Sequence, residues 1–162
     1  MATWVALLRA VNLGSRNKVP MAQLRRAMED AGYDDVRTVI ASGNVVFSRG
    51  AKPSSRALES LIADAFGVRT TVIIRSAAQI RKLRAAKPFP GAAYVAFLAT
   101  RPRSTKSIEG IDEFAVVGGD IVLHFPNGSA AAQLTGAVLE KKLGIEATVR
   151  NWNTVEKLAD LV

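Results

Sequence analysis

The chain contains an internal repeat, and this repeat limits the possible folds more than any other feature. Four segments of the first half have counterparts in the second half, in the same order: TWVALL and AYVAFL, VIASGNVVF and AVVGGDIVL, FGVRTTV and LGIEATV, and IRKL and VEKL. Similarity that recurs in a fixed order indicates that one structural unit occurs twice. We therefore expect a tandem duplication.

The first copy predicts six elements in the order β-α-β-β-α-β. They are, in turn, TWVALLRA, PMAQLRRAMEDAG, VRTVI, NVVF, the helix whose apolar residues run from Leu58 to Phe66, and TTVIIR. Apolar and β-branched runs predict the strands, and apolar residues at helical spacing predict the helices. Gly43-Asn44 is the expected two-residue turn of the hairpin. The second copy is expected to repeat the order.

This order is the split βαβ, ferredoxin-like arrangement, in which an antiparallel sheet carries both helices on one face. The predicted fold class is therefore α+β, as a tandem duplication of a split β-α-β ferredoxin-like unit. Residues 1–88 are expected to form the first copy, with a long polar loop and a trailing helix. Residues 89–162 are expected to form the second, shorter copy, with a C-terminal helix.

The two copies differ in length at one place. Thr3 matches Ala93 at an offset of 90 residues, whereas Gly43 matches Gly119 at an offset of 76, so the second copy lacks 14 residues between its first strand and its hairpin. The missing part corresponds to VNLGSRNKVP and some of the following helix. Because one copy folds without this loop, the loop is a better candidate for function than the shared elements.

The loop has features of an anion site. A glycine-containing loop that opens into a helix offers backbone N–H groups and the positive end of the helix dipole to an anion. The candidate ligand-binding residues are Asn12, Gly14, Arg16, Asn17 and Lys18. The loop matches neither GxxxxGK[ST] nor GxGxxG. The alternative is a polar loop whose asparagines bond to their own backbone, and both interpretations stay open.

A second candidate group precedes the last helix. Asn153 followed by Glu156 predicts an N-cap with a reciprocal partner, which leaves Arg150, Asn151 and Trp152 without a structural explanation. Trp152 fits the core, but Arg-Asn-Trp-Asn at a helix N-terminus equally suits an anion or a stacked base, and Asn153 belongs to this group.

Other motifs favour structural roles or offer little chemistry. SGN at 42–44 is expected to be a hairpin turn, and Ser129 in PNGS an N-cap. The single histidine, His124, is expected to face solvent or a neighbouring element, and neither basic segment supplies a carboxylate to orient it. The sheet of an RNA-recognition domain would need more aromatics than Phe47.

The positive charge is local. The net charge is +8, yet residues 1–28 hold five basic residues and no acid, and residues 65–108 hold nine and none. Such segregation favours an anionic small molecule or nucleic acid as partner, although solvation of helix faces explains any single residue as well. With no cysteine and one histidine, no metal or cofactor is expected. No apolar run spans a membrane and no leader is evident, so we expect a cytoplasmic protein without a membrane partner.

The segments ALLRAVNLGSRNKVPMAQL, TVIASGNVVFS, PNG and RNWNTVEKL together resemble the bacterial family catalogued as domain of unknown function 1697. The resemblance spans essentially the whole chain and implies a pair of ferredoxin-like α+β domains. It brings no established activity, ligand or catalytic residue. The family motifs map onto Asn12, Gly14, Asn17, Lys18, Met21, Ser42, Gly43, Asn44, Asn151, Trp152, Asn153 and Thr154, and Ala10 stands where the family has glycine.

Three functions remain open at this point. The first is a binding protein that holds a phosphate-bearing ligand or a nucleic-acid backbone at the loop 12–20. The second is an enzyme that acts on a phosphorylated or acyl substrate by electrostatic stabilisation, with no evident catalytic constellation. The third is a protein–protein interaction module.

Overall fold

The computed structural model describes residues 1–91 and 93–162, which contain two four-stranded antiparallel sheets. The first group of elements is β1 (Ala2–Leu8), α1 (Met21–Asp30), β2 (Asp34–Thr38), β3 (Asn44–Arg49), α2 (Ser55–Phe66), β4 (Val72–Ser76) and α3 (Ala77–Ala86). The second is β5 (Ala93–Leu98), β6 (Glu113–Val117), β7 (Asp120–His124), α4 (Gly136–Leu143), β8 (Ala147–Asn151) and α5 (Trp152–Leu161).

The two sheets have the same topology. Their strand orders are β2-β3-β1-β4 and β6-β7-β5-β8, so each strand of the second sheet occupies the place of its counterpart in the first. The α+β class and the tandem duplication expected from the repeat are confirmed.

The copies differ between their first and second strands. The connection from β1 to β2 has 25 residues and includes α1, whereas the connection from β5 to β6 has 14. The expectation that the second copy repeats the order is wrong at the first helix, because a short 3₁₀ turn at Lys106–Ile108 stands in its place. The shorter connection cannot hold ten helical residues together with loops as long as those around α1, which take 15 residues.

The first hairpin also differs from its expected form. Asn44 is the first residue of β3, and a five-residue loop, 39–43, replaces the expected two-residue turn. Asn44 is buried, and its Nδ2 donates to Val39 O at 2.9 Å and to Ser42 Oγ at 3.0 Å, so its side chain closes the loop from inside. In the second copy, Gly118-Gly119 does form a two-residue turn, with Val117 opposite Asp120.

Each sheet has a separate apolar core, to which α1 and α2 contribute in the first case and α4 in the second. In the first, Ala6 and Leu8 of β1 contact the buried stripes of α1 and α2, represented by Leu24, Met28 and Ile62. Burying side chains of this size removes apolar surface from water, which stabilises the folded chain by about 1.5–3 kcal/mol for each large aliphatic residue. The loops that connect these elements are therefore held on a rigid framework.

The chain divides into two compact units. Unit 1 comprises Met1–Arg81 and Lys157–Val162, and unit 2 comprises Lys82–Glu156. The sequence limits of the two copies, 1–88 and 89–162, stay a prediction. None of the helices within the described residues combines the length and hydropathy that crossing a bilayer requires.

Candidate functional site

Three loops of unit 1 meet at one end of its sheet, and we call segments 9–20, 39–43 and 67–71 together the loop end. The strand pairs Leu7↔Asn44 and Leu8↔Val72 place the end of β1 beside the starts of β3 and β4. Backbone hydrogen bonds connect the loops to each other: Leu8 N donates to Gly43 O at 2.9 Å, and Arg9 N donates to Thr71 O at 3.0 Å. The loop end is therefore one continuous surface.

The long loop folds back on itself as a small hairpin. Asn12 N donates to Asn17 O at 3.0 Å, Arg16 N donates to Leu13 O at 3.1 Å, and Gly14 lies at the tip with a φ of 60°. Asn12 and Asn17 have φ values of 54° and 51°, in the left-handed region that asparagine tolerates better than most residues. This explains why asparagine occupies both positions.

The side chain of Asn12 joins two of the loops. Its Oδ1 accepts from Val19 N at 2.8 Å, and its Nδ2 donates to Val19 O at 2.9 Å and to Ala41 O at 2.7 Å. Asn17 Nδ2 donates to Ala10 O at 3.0 Å. Of the two interpretations left open by the sequence, backbone bonding is the one these amides follow. Both asparagines fix the loop that carries the charged residues.

The exposed charge of the loop end is positive. Arg16 and Lys18, both predicted from the sequence, are exposed, and so is Arg69 on the loop before β4. The three loops contain no acidic residue. Within residues 1–91 and 93–162, no salt bridge pairs these three cations with a carboxylate. Sequence reasoning missed Arg69, whose only signal was its place in a basic segment.

Helix α1 begins directly after the long loop. Its N-cap, Pro20, makes no side-chain cap among the residues described, and its first turn holds no acid. By contrast, Ser54 Oγ accepts from Ala57 N at 3.2 Å and caps α2, and Thr135 Oγ1 caps α4. An uncapped helix N-terminus keeps donors and partial positive charge available to an anion.

The second candidate group lies at the junction of β8 and α5 in unit 2. The predicted cap at Asn153 is wrong: α5 begins at Trp152, and Asn151 Oδ1 accepts from Thr154 N at 2.9 Å and from Thr154 Oγ1 at 3.0 Å. Glu156 accepts instead from Trp152 Nε1 at 3.0 Å. Strand β8 runs directly into the helix, so the cap lies two residues earlier than the pattern indicates.

The members of this group differ in their access to solvent. Arg150 is 7% exposed and donates to Thr148 Oγ1 and Val149 O, and burial lowers its pKa to about 10. Trp152 is also buried, whereas Asn153 is exposed. An open cavity of about 350 Å³ borders Tyr94 and residues 151–153. The guanidinium of Arg150 therefore bonds to groups within the protein.

His124 has a partner that sequence reasoning missed. Its Nδ1 lies 2.7 Å from Glu113 Oε2, and the Phe89 ring stacks on it at a centroid distance of 5.0 Å. Glu113 and His124 face each other across β6 and β7, so only the strand register reveals the pair. In the described part of the chain, no three acidic, histidine or cysteine side chains converge as metal ligands would.

The fold and the loop end define a small α+β protein of two related four-stranded units, one of which carries a cationic loop surface. A family model described as "Protein of unknown function (DUF1697)" matches residues 1–124, and the chain belongs to this family.

The same fold occurs in a solved structure, that of conserved bacterial protein SP0830 from Streptococcus pneumoniae. The two are 20% identical with a TM-score of 0.68, and the match covers 99% of this chain and 98% of the other. At this identity the likeness shows the fold alone. A search of curated proteins found none that matches the chain.

Proposed function

We propose that the loop end binds a phosphate-bearing anion and that the protein is a cytoplasmic binding protein. The observation that carries this proposal is the arrangement of Arg16, Lys18 and Arg69, three exposed cations on hydrogen-bonded loops without a single carboxylate. Phosphate groups, either free, in nucleotides or along a nucleic-acid backbone, have the charge and the acceptors that such a surface attracts.

The rigidity of the loop supports the proposal. Ordering a flexible lysine or arginine loop on binding costs conformational entropy, which weakens affinity. Here the Asn12 bonds to Val19 and Ala41 hold the hairpin before any ligand arrives. The free N-terminus of α1 adds backbone donors next to Lys18.

Binding is favoured over catalysis by what the loops contain. A general base or acid at neutral pH is most often histidine, aspartate or glutamate, and the three loops hold none of these. An enzyme on a phosphorylated or acyl substrate would depend on positioning and charge alone. No contact in unit 1 favours this alternative over binding.

Thermal unfolding in the presence of anions tests the proposal. We expect inorganic phosphate, a nucleoside triphosphate or a short oligonucleotide to raise the Tm by about 3–6 °C at ten times its Kd. The double variant Arg16→Ala/Lys18→Ala should lose the rise, because it removes two of the three exposed cations while leaving the Asn12 bonds intact.

The control removes the same charge elsewhere. Lys141→Ala/Lys142→Ala takes two exposed lysines from the last turn of α4, in unit 2, and should keep the anion-induced rise. If the wild-type Tm responds to none of the three anions, or if both double variants show the same anion-induced change in Tm, the loop end is not an anion site.

A further inference from the structure

Two exposed aliphatic side chains accompany the cations of the loop end. In the part of the chain that the structure describes, four large apolar side chains are exposed: Met1, Leu13, Ile40 and Val116. Leu13 is 63% exposed at the tip of the long loop, and Ile40 is 49% exposed on the hairpin loop. Single exposed aliphatic residues are ordinary, but two on one cationic surface form a pattern.

The hydrogen bond from Asn12 Nδ2 to Ala41 O brings the two aliphatic residues to neighbouring positions. At 2.7 Å, it joins the residue before Leu13 to the residue after Ile40. Arg16 lies opposite Leu13 in the hairpin, and Lys18 follows two residues later. The two apolar side chains and these two cations thus lie on two joined loops, 9–20 and 39–43.

Ile40 is held in an unfavourable conformation. Its φ is 61°, in the left-handed region, where a β-branched residue is strained by roughly 1–3 kcal/mol. The strained backbone leaves Ile40 49% exposed, and the residue lies outside the apolar core of unit 1. A conformation that costs stability at an exposed apolar residue indicates a role outside the fold.

We propose that this surface, formed by Leu13, Ile40, Arg16, Lys18 and Arg69, docks on a lipid bilayer that contains anionic headgroups. The inference rests on the proposed function, since headgroup phosphates are the anions that the cations contact. Leu13 and Ile40 then enter the boundary between headgroups and acyl chains, where apolar side chains leave water.

The shape and composition of the loops favour a bilayer over a macromolecular partner. A stable protein partner needs a complementary face of roughly 800 Å², whereas a soft interface accepts narrow loop tips. Single-stranded nucleic acid bound without sequence preference is typically held by aromatic side chains that stack on its bases, and the three loops contain no aromatic residue. The sequence predicts no membrane partner because no run spans a bilayer, but docking at the surface needs no such run.

Vesicle co-sedimentation tests the inference with the full chain. We expect wild-type protein to sediment with phosphatidylcholine vesicles that contain phosphatidylserine and to stay in the supernatant with phosphatidylcholine alone. Leu13→Ser/Ile40→Ser should weaken vesicle binding by about tenfold or more while keeping the Tm rise with inorganic phosphate. Arg16→Ala/Lys18→Ala should lose both responses.

Val116→Ser is the matched control, because Val116 is 49% exposed, as Ile40 is, but lies in unit 2. It should bind vesicles as the wild type does. Unchanged binding by Leu13→Ser/Ile40→Ser, or wild-type protein that binds an oligonucleotide but no vesicle, overturns lipid docking and leaves anion binding standing. A wild-type Tm that responds to none of the three anions removes the proposed function instead.

Discussion

Gly43 lies where the hairpin loop passes close to the end of β1. Its φ is 90°, a region that glycine enters far more easily than other residues. A Cβ at this position would lie 2.8 Å from both Leu8 Cβ and Val11 Cγ2, closer than side-chain carbons can approach. Glycine is therefore required here for two reasons: its backbone conformation and the space around it.

Gly43→Ala should lower the free energy of unfolding by about 3 kcal/mol, through the strained φ and the overpacking together. Gly32→Ala is the matched control, because Gly32 has the same φ of 90° but no atom within 4 Å of its Cβ position. It should lose only about 1 kcal/mol. Urea unfolding of the two variants measures the difference, and equal losses would show that the contact with β1 carries no cost.

Single residues show where sequence reasoning reaches its limit. The exposure and charge of Arg16 and Lys18 follow from their residue types, and their prediction needed no structure. The partners of Asn12 are different, because Val19 O and Ala41 O come within reach only once the loops have folded. A side-chain amide fits a ligand or the backbone equally well until its neighbours are known.

At the scale of elements, the two copies join their last strand to the following helix in the same way. β4 ends at Ser76, and Gln79 N donates to Ser76 Oγ at 3.2 Å while Ser76 N donates to Gln79 Oε1 at 2.8 Å. β8 ends at Asn151, which caps α5 through Thr154. The last residue of the strand is therefore the helix cap in both copies. The sequence pattern from Asn153 to Glu156 pointed instead to a cap two residues later.

This rule makes a prediction about α5. Asn151→Ala should reduce the free energy of unfolding by about 1–2 kcal/mol, because it removes the acceptor for Thr154 N. Asn153→Ala should change it by less than about 0.5 kcal/mol, as expected for an exposed residue within the first turn. Chemical denaturation followed by circular dichroism compares the two variants. A larger loss at Asn153 would contradict the cap at the end of the strand.

In the molecule as a whole, the length difference between the copies falls where the loop end is built. The connection from first to second strand has 25 residues against 14, and the hairpin loop has five against two. The repeat located the longer connection, because residue matches alone reveal it, but it matched VIASGNVVF to AVVGGDIVL without a gap and so missed the longer hairpin loop. The residue matches do not show that the long loop and the hairpin loop meet through the bond between Asn12 and Ala41, because strand register and loop contacts are tertiary properties.

Shortening the hairpin loop tests whether this added material serves function and not folding. Replacing Ile40–Gly43 by Gly-Gly leaves Val39-Gly-Gly-Asn44, the arrangement of Val117-Gly118-Gly119-Asp120 in the second copy. Gly43 O, the acceptor for Leu8 N, is then missing. Asn44→Asp supplies a substitute, because Leu98 N donates to Asp120 Oδ1 at 3.0 Å in the second copy.

We expect this graft to fold, with a circular dichroism spectrum like that of the wild type and a Tm lowered by less than about 8 °C. It should lose vesicle binding, since Ile40 and the Ala41 acceptor that anchors Asn12 are both removed. An unfolded graft would show that the sheet of unit 1 needs its longer loop. A folded graft that still binds anionic vesicles would show that Ile40 plays no part in docking.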